Sequence, residues 1–357
     1  MSYEDLPALT IDVSDGVATV TIDHPPLNLM DGVLLPSLRA FVARVRDDAD
    51  VRVIVFESAD PEFFIAHGDM AYLTDPDALP AATRAAIAAA PGSTVPEGLN
   101  ILQAMSEEVR SLPQVTIGKL AGFARGAGNE FFMYLDMRFA AIGKSGQGQP
   151  ESLMGILPGG GGTVNMTRLA GRARALELIL GAELVGAELA ERYGLINRAL
   201  PAAELDSFVD TLARRIAGLR PEVISITKAA VDAVAQPIPR AAYAVENEGL
   251  FAAFGDEVTE LAHKLLAAGI QTREGERDHE RIANSISVPK LSPSVRRGSV
   301  GRVPQPLPAR ALSSGQVDHP GSPGLSGTRP AEAPETAGRA VDGTSSRTLD
   351  NAVRPRG

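Results

Sequence analysis

Residues 115–163 read VTIGKLAGFARGAGNEFFMYLDMRFAAIGKSGQGQPESLMGILPGGGGT, and this stretch decides the fold. It places two glutamates, Glu130 and Glu151, each just after a turn that contains glycine. Carboxylates held in such turns can converge on one water molecule, which is the minimum equipment for adding water to a double bond or removing it. A lone surface glutamate would carry no such meaning, so the pair and its context form the signal.

The order of motifs in this stretch resembles the crotonase (enoyl-CoA hydratase/isomerase) superfamily. That family has a strand, a glycine turn ending in Glu, a Gln-Pro-Glu and a Pro-Gly turn, and here GFARGAGNE, GQPE and ILPGGGGT follow the strand in that order. Upstream, VRVIVFESADPEFFIAHGDM resembles the strand and loop that usually end in Ala-Gly-Ala-Asp. The resemblance extends from about Leu9 to about Arg281 and so covers most of the chain.

Composition excludes several classes of function. The chain has 357 residues, 44% of them hydrophobic, and no cysteine, which rules out disulfides, a thiol nucleophile and thiolate metal sites. The five histidines are scattered without metal-ligand spacing, so no metal is expected. A net charge of -10 argues against nucleic acid as a partner. Without an apolar run of about 18 residues or a signal peptide, we expect a cytoplasmic enzyme that does not enter membranes.

The predicted fold class is α/β (α+β), with three regions. The resemblance implies a crotonase-like spiral of ββα units that holds the active site over residues 1–198. It also implies a helical C-terminal region for subunit packing over residues 199–290. Residues 291–357 contain no Phe, Tyr, Ile or Met and have nine Arg against five acidic residues. Because so little apolar surface cannot offset the conformational entropy of ordering, this tail is predicted to be disordered.

Periodicity and turn signals predict the individual elements. LTIDVS and GVATVTIDH read as two strands joined at Asp15-Gly16, a hairpin signal, and an amphipathic helix is expected over residues 32–45. VRVIVFES and VTIGKLAG read as buried strands. Residues 73–99, rich in Ala, Pro and Asp, are expected to form a mobile loop with a short helix, where this family shapes its acyl pocket. The helix after the glycine turn is expected over NEFFMYLDM, and helices prevail after Thr163.

Hydration of an α,β-unsaturated thioester sets the chemical requirements. Water attacks the β carbon, and negative charge develops on the thioester oxygen, where two fixed backbone N–H groups can stabilise it. The resemblance assigns these donors to Gly68 and Ala127. It gives Glu130 the role of activating the water and Glu151 that of donating the proton to the α carbon, with the two roles open to exchange. Retention of both glutamates favours hydration over a proton shuttle that needs one.

The resemblance also suggests residues that touch the substrate. They are Pro26, Leu27, Ala66, His67, Asp69, Met70, Ala71 and Gly126. His67 stands where the family usually has glycine, and it either contacts the thioester, tunes a glutamate or is a loop histidine with a satisfied ring. The run Gly159 to Gly162 is not followed by Gly-Lys-Ser/Thr, so we interpret it as a tight turn packed behind Glu151 rather than a phosphate cradle.

The sequence therefore predicts an acyl-CoA enzyme, most simply an enoyl-CoA hydratase. Coenzyme A enters as part of the substrate, and no other cofactor is expected. An isomerase or a crotonase-type hydrolase is the alternative on the same fold, and a non-catalytic binding or scaffold protein is the alternative of another class. The apolar stripes of AAELDSFVDTLARRIAGL and VTELAHKLLAAGI, together with the resemblance, predict a homotrimer or a dimer of trimers.

Overall fold

Two β-sheets form the centre of the structure, a computed structural model that describes residues 2–235 and 238–287. The larger sheet contains β1 (Leu9–Ser14), β2 (Val17–Ile22), β3 (Val53–Ser58), β5 (Val115–Leu120), β7 (Met137–Ile142) and β10 (Arg198–Pro201). The smaller sheet contains β4 (Phe63–Ile65), β6 (Phe123–Arg125), β8 (Gly146–Gly148) and β9 (Val185–Gly186). The predicted tail, residues 291–357, lies outside the described residues, so its disorder stays a prediction.

Fourteen α-helices and one 3₁₀ helix lie within the described ranges. The α-helices are α1 (Leu34–Val45), α2 (Ala71–Thr74), α3 (Ala78–Ala89), α4 (Ile101–Arg110), α5 (Ala127–Tyr134), α6 (Gly162–Ala170), α7 (Arg172–Gly181), α8 (Ala187–Tyr193), α9 (Leu205–Ala217), α10 (Pro221–Ala235), α11 (Arg240–Ala253), α12 (Asp256–Ala267), α13 (Arg273–Arg277) and α14 (His279–Ser287). The 3₁₀ helix spans Glu151–Met154. Within these ranges no helix is long and apolar enough to cross a bilayer.

The strands follow a repeated ββα pattern. β3, β5 and β7 lie side by side in the larger sheet, while β4, β6 and β8, which follow them in the chain, lie side by side in the smaller one. A helical segment completes each unit before the next strand begins. All of these pairs are parallel, as a crossover connection requires. The structure thus confirms the α/β class and the spiral of ββα units expected from the resemblance.

Local sequence explains the best-predicted elements. β1 and β2 pair in antiparallel register across Asp15 and Gly16, both of which have positive φ, as the two central residues of a tight hairpin turn require. Residues Val53–Phe56 of β3 are all buried, which fits a strand covered on both faces. β10 begins at Arg198 and pairs with β7, so the larger sheet continues beyond residue 198, the predicted end of the core. The three-region division itself stays a prediction.

Two local predictions need correction. Residues 73–99 contain α3, a helix of twelve residues, rather than a loop with a short helix. Alanine has the highest helix propensity. Pro80 lies in the first turn, where a backbone N–H has no intrahelical acceptor, so the N–H that proline lacks is not missed. The helix predicted over residues 129–137 is α5, which begins earlier, at Ala127, and ends earlier, at Tyr134. Met137 is already the first residue of β7.

The helices that were expected to face other subunits instead pack on their own chain. α9 buries Leu205, Val209, Ala213 and Ala217 against the larger sheet. α12 buries Ala262 and Leu265 in a cluster with Met154 and Met70, next to the 3₁₀ helix, and Val258 of the same helix is also buried. A stripe of apolar residues in a sequence shows that a helix face is covered, but it does not show by which chain. These two stripes are therefore no argument for a trimer.

Candidate active site

One cavity brings the predicted catalytic groups together. It has a volume of about 370 Å³ and is lined by Glu130, Glu151, Gly68 and Ala127. The loop after β4 supplies Gly68, the start of α5 supplies Ala127 and Glu130, and the 3₁₀ helix supplies Glu151. Each of these segments follows a strand of the smaller sheet, so three successive ββα units place their connecting turns around one space.

Glu130 is held in place by backbone amides. Its side chain is 2% exposed, and the N–H groups of Gly160 and Gly162 both donate to its Oε1 at 2.8 Å. Hydrogen bonds from two N–H groups favour the ionised carboxylate. Because both amides bind Oε1, the other oxygen, Oε2, is left for a water molecule or a substrate.

Glu151 packs against Gly126. Its Oε1 is 2.8 Å from the point where a Cβ on Gly126 would stand, and Gly126 has φ 48, so both space and backbone require glycine there. Glu151 is 6% exposed, and within the described residues its Oε2 is buried without a hydrogen-bond partner. A buried carboxyl oxygen with no internal partner is the atom expected to exchange a proton with a ligand.

The glycine run 159–162 connects two carboxylates, which corrects its predicted role. The N–H of Gly161 and that of Thr163 donate to Glu246 of α11 at 2.6 and 3.0 Å, while the amides of Gly160 and Gly162 donate to Glu130. The turn therefore packs behind Glu130, rather than Glu151, and opens α6. Successive N–H groups alternate between the two sides of the turn, so each carboxylate receives two of them.

Glu246 is a third buried carboxyl that the sequence analysis missed. It is 2% exposed, and the hydroxyl of Thr163 and the side-chain amide of Gln103 also donate to it, the latter at 3.0 Å. Its sequence context, AAYAVENEGLF, is that of an ordinary amphipathic helix. No local signal marks it, because its partners lie 83 to 143 residues away in the chain.

Burial changes the proton affinity of all three carboxyls. It raises the pKa of Glu130 well above its ordinary value, and the nearby charges of Glu151 and Glu246 add to this effect. Burial also raises the pKa of Glu151 to about 8 and raises the pKa of Glu246. Because like charges in a buried site oppose each other, Glu130 and Glu151 are best described as a pair that retains a proton near neutral pH.

Gly68 and Ala127 lie next to each other at the cavity. A Cβ on Gly68 would lie 3.5 Å from the Cβ of Ala127, and both residues line the cavity. Neither N–H has an acceptor within the described residues. Ala127 is the first residue of α5, where helix N–H groups are free and the positive end of the helix dipole lies. Two backbone N–H groups without acceptors therefore lie at one cavity, where they can donate to a ligand that enters it.

The ring of His67 is satisfied inside the protein. Its Nδ1 is 2.6 Å from the carbonyl oxygen of Gly68, and its Nε2 is 3.0 Å from Oε1 of Glu276. Of the three interpretations offered for this residue, a loop histidine with a satisfied ring fits these contacts. His67 also lines the cavity, so proximity to the other groups is retained.

The remaining predicted substrate residues divide into two sets. Asp69, Met70 and Gly126 line the cavity, whereas Pro26, Leu27, Ala66 and Ala71 do not. Leu27 and Ala66 are completely buried in one small cluster, and the Ala66 N–H donates to the Leu27 carbonyl at 3.2 Å. Their side chains thus lie outside the cavity lining, and contact of either residue with a substrate stays a prediction. Pro26 is exposed, and its carbonyl accepts from Arg273 at 2.6 Å.

Most of the remaining residues that line the cavity are apolar. They are Leu73, Leu79, Ile87, Val95, Leu99, Ile101, Leu102, Met154, Ile156, Leu157, Leu250, Phe251 and Phe254. Five of these residues lie within the segment 73–99, where the acyl pocket was expected. Among residues 2–235 and 238–287, no group of three or more His, Cys, Asp or Glu side chains could hold a metal ion.

Comparison with known proteins gives the relationships of the chain. The family model described as enoyl-CoA hydratase/isomerase matches residues 12–260. A Streptomyces avermitilis crystal structure, provisionally described as an enoyl-CoA hydratase, is 44% identical with a TM-score of 0.72, covering 78% of this chain and 98% of that one.

Two relatives with names that state an activity are more distant. A Clostridium acetobutylicum protein named short-chain-enoyl-CoA hydratase is 27% identical, covering 72% of this chain and 95% of its own. A Syntrophomonas wolfei protein named crotonyl-CoA hydratase is 30% identical, covering 65% of this chain and 83% of its own. On the strength of the family match and the shared fold, the chain belongs to the enoyl-CoA hydratase/isomerase family, the crotonase superfamily that its motifs resemble.

Proposed function

We propose that this protein is an enoyl-CoA hydratase that adds water to an α,β-unsaturated acyl-CoA thioester. The observation that carries the proposal is the meeting of two buried glutamates and two unpartnered backbone N–H groups at one apolar cavity. Family membership supports an acyl-CoA substrate, and the two relatives named above are hydratases by name.

The proposed reaction assigns one role to each group. Glu130 takes a proton from water as the water oxygen bonds to the β carbon. The electron pair of the double bond moves toward the thioester oxygen, and the N–H groups of Gly68 and Ala127 stabilise the resulting enolate. Glu151 then gives a proton to the α carbon, which restores the thioester. Hydration neither oxidises nor reduces the substrate, so the proposed reaction uses no redox cofactor. Coenzyme A takes part as the group that carries the acyl chain.

The hydrogen bonds favour this order of roles over the exchanged one. Two amides stabilise the carboxylate form of Glu130, which suits a base. Glu151 has a raised pKa of about 8 and a buried oxygen without a partner, which suits a proton donor near neutral pH. Burial raises the pKa of both residues, and the amide hydrogen bonds from Gly160 and Gly162 act on the pKa of Glu130 in the opposite direction, toward its carboxylate form.

The size of the cavity bears on the acyl group. An apolar protein cavity of about 150 Å³ is large enough to bind benzene. The cavity here, about 370 Å³, has walls that are almost entirely aliphatic or aromatic beyond the catalytic groups. We therefore propose that it accepts acyl chains longer than crotonyl, such as hexenoyl and octenoyl. Each further methylene that leaves water contributes about 0.8 kcal/mol, which is about a fourfold gain in kcat/KM.

Assembly as a homotrimer or a dimer of trimers is also a proposal, now resting on α10. Of its fifteen residues, Ile224 is the buried one, whereas Ile226, Val231 and Val234 are 68%, 61% and 83% exposed. Aliphatic side chains spaced along one helix in this way are typical of a surface that is covered in an oligomer. A cytoplasmic location and the absence of nucleic-acid or membrane partners stay predictions from composition.

One experiment separates the candidate functions. Purified protein is incubated with crotonyl-, hexenoyl- and octenoyl-CoA, with absorbance of the conjugated thioester and product mass as readouts. A product heavier by one water, formed faster with the longer chains, is the expected result. An unchanged mass with a moved double bond indicates an isomerase, and free CoA indicates a hydrolase. Binding without any product indicates the non-catalytic alternative and would contradict the proposal.

A further inference from the structure

His67 lines the same cavity as the proposed catalytic groups, and its contacts have no part in the proposed hydration steps. It is 3% exposed and immediately precedes Gly68, whose N–H is one of the two donors. A Cβ on Gly126 would lie 2.8 Å from Oε1 of Glu151 and 3.8 Å from the Cβ of His67, so His67 and Glu151 border the same point. The residue is therefore close to the oxyanion hole and to the proposed acid.

Both ring nitrogens of His67 face hydrogen-bond acceptors. Nδ1 faces the carbonyl of Gly68 at 2.6 Å, and Nε2 faces the carboxylate of Glu276 at 3.0 Å. A neutral imidazole has one N–H and could serve only one of these acceptors, whereas an imidazolium serves both. The same oxygen of Glu276, Oε1, also accepts the Gln271 N–H at 2.8 Å, and a second donor on this oxygen favours the ionised carboxylate. The contacts themselves thus indicate a buried imidazolium.

The surrounding charges are consistent with this protonation state. Nη1 of Arg125 is 3.7 Å from the other oxygen of Glu276, but Arg125 forms its close ion pair with Glu280 at 2.6 Å. The ring of His279 is 6.0 Å from that of His67, and burial lowers the pKa of His279 to about 4, so it is neutral. Burial alone would lower the pKa of His67, but the carboxylate of Glu276 raises it above its ordinary value.

The same C-terminal segment also holds the rest of the loop. The side chain of Gln271 accepts from the Met70 N–H and donates to Oδ1 of Asp69, both at 2.9 Å. Its backbone N–H donates to Oε1 of Glu276 at 2.8 Å. Glu276 and Gln271 therefore fix the loop on both sides of Gly68, and the ion pair with His67 is the charged part of that attachment.

We propose that His67 and Glu276 form a positioning ion pair, in which the buried imidazolium fixes the loop that carries the Gly68 N–H and favours the ionised form of Glu151. The inference rests on the proposed hydratase function. Because a nearby cation stabilises a carboxylate, the charge of His67 opposes the effect of burial on Glu151. Removing the charge should leave Glu151 a weaker acid and the oxyanion donor less well aligned.

The experiment combines His67→Asn and Glu276→Gln with His263→Asn, an exposed histidine of α12, as control. The kcat and KM for an enoyl-CoA are measured against pH. We expect His67→Asn to lower kcat by about 10- to 100-fold, as misalignment of a reacting group does, with KM changed far less. The alkaline limb of its profile should move to higher pH. Glu276→Gln should also lower kcat and move the alkaline limb to higher pH, whereas the control should change neither kcat nor the pH profile.

Ring ¹⁵N NMR of the wild-type protein tests the ion pair independently of turnover. Both nitrogens of His67 should be protonated at neutral pH and above, and Glu276→Gln should lower the pH at which the ring loses its proton. A neutral ring at neutral pH overturns the proposal, as does a folded His67→Asn protein with a wild-type kcat and profile. If the wild type binds but never hydrates enoyl-CoA, the hydratase proposal fails while the NMR result still decides the ion pair. Should His67→Asn not fold, Glu276→Gln and the NMR measurement decide.

Discussion

Glu151 is buried and, by our proposal, donates a proton, and its burial has a measurable effect on stability. Its pKa is about 8 in the folded protein against an ordinary value of 4.5, so the folded state binds the proton more tightly. The stabilisation from this protonation is complete below about pH 4.5 and is lost as the pH rises through about 8. Each unit of pKa corresponds to about 1.4 kcal/mol.

We therefore predict that Glu151→Gln melts at a higher temperature than the wild type at about pH 9. Glutamine keeps the shape of the side chain but cannot ionise, so the variant escapes the destabilisation of the charged form. At about pH 5 the difference should become small or vanish. Thermal melts at both values measure this, with Glu191→Gln, an exposed glutamate of α8, as control. A pH-independent difference would mean that Glu151 does not titrate in this range.

The two proposed oxyanion donors allow a second prediction at the scale of single residues. Gly68→Pro and Ala127→Pro each remove one backbone N–H, and losing one such donor should reduce turnover at least about 100-fold. Ala127→Pro is the milder change to the fold, because proline is well tolerated at the first position of a helix. Turnover, melting temperature and thioester binding are measured together. Near-normal turnover in a folded variant would place the donor elsewhere.

The sequence predicts candidate site residues that lie in recognisable short motifs. It does not predict those whose partners are distant in the chain. Glu130, Glu151, Gly68 and Ala127 lie in short glycine-bearing stretches, and the structure brings all four to one cavity. Glu246 and Glu276 were missed. Glu246 binds turn residues 83 to 85 positions away, and Glu276 pairs with His67 at a separation of 209 residues. Such contacts depend on how helices pack on the core, and no pattern near either glutamate reveals them.

Among the structural elements, the glycine turn before α6 positions a proposed catalytic group, because its amides hold the carboxylate of Glu130. A Cβ on Gly160 would lie 2.6 Å from Oε2 of Glu130, closer than any real contact allows. We predict that Gly160→Ala displaces this carboxylate and lowers hydration by about 100-fold, the usual cost of moving a catalytic group by about 1 Å. Steady-state kinetics checks this, with Gly181→Ala, where a Cβ meets nothing within 4 Å, as control. Equal activity of both variants would show that the turn does not position Glu130.

Element types were predicted well where period and turn chemistry agree and less well where composition is ambiguous. The hairpin β1–β2 and the buried strand β3 follow directly from their patterns. The composition of segment 73–99, rich in Ala, Pro and Asp, predicts a mobile loop with a short helix, yet its alanines favour the twelve residues of α3. The apolar stripes of α9 and α12 were real, but they cover this chain's own sheet and 3₁₀ helix.

The whole molecule should assemble through α10. Ile226→Glu and Val234→Glu place charges on side chains that are exposed in the single chain and, by our proposal, covered in the oligomer. Burying an unpaired charge is strongly unfavourable, so the double variant should be monomeric at micromolar concentration while the wild type is trimeric or larger. Light scattering measures this, with Val13→Glu on β1, 41% exposed, as control. A monomeric wild type would contradict the assembly proposal.

The central claim is that Glu130 and Glu151 act together on one water molecule and one α carbon. Glu130→Gln and Glu151→Gln keep the shape of each side chain but cannot take or give the proton in the same way, so each should lower hydration by about 100- to 10,000-fold. Groups that act as a unit are not additive, so the double variant should be scarcely slower than either single variant.

The most direct measurement is hydration of an enoyl-CoA by the wild type, both single variants and the double variant, with thioester binding measured in parallel. We expect retained binding in all four proteins, large losses of hydration in both single variants and little further loss in the double variant. If Glu151→Gln keeps its activity while Glu130→Gln loses it, a one-base isomerase replaces the hydratase. Full activity in both single variants would contradict the assignment of the site altogether.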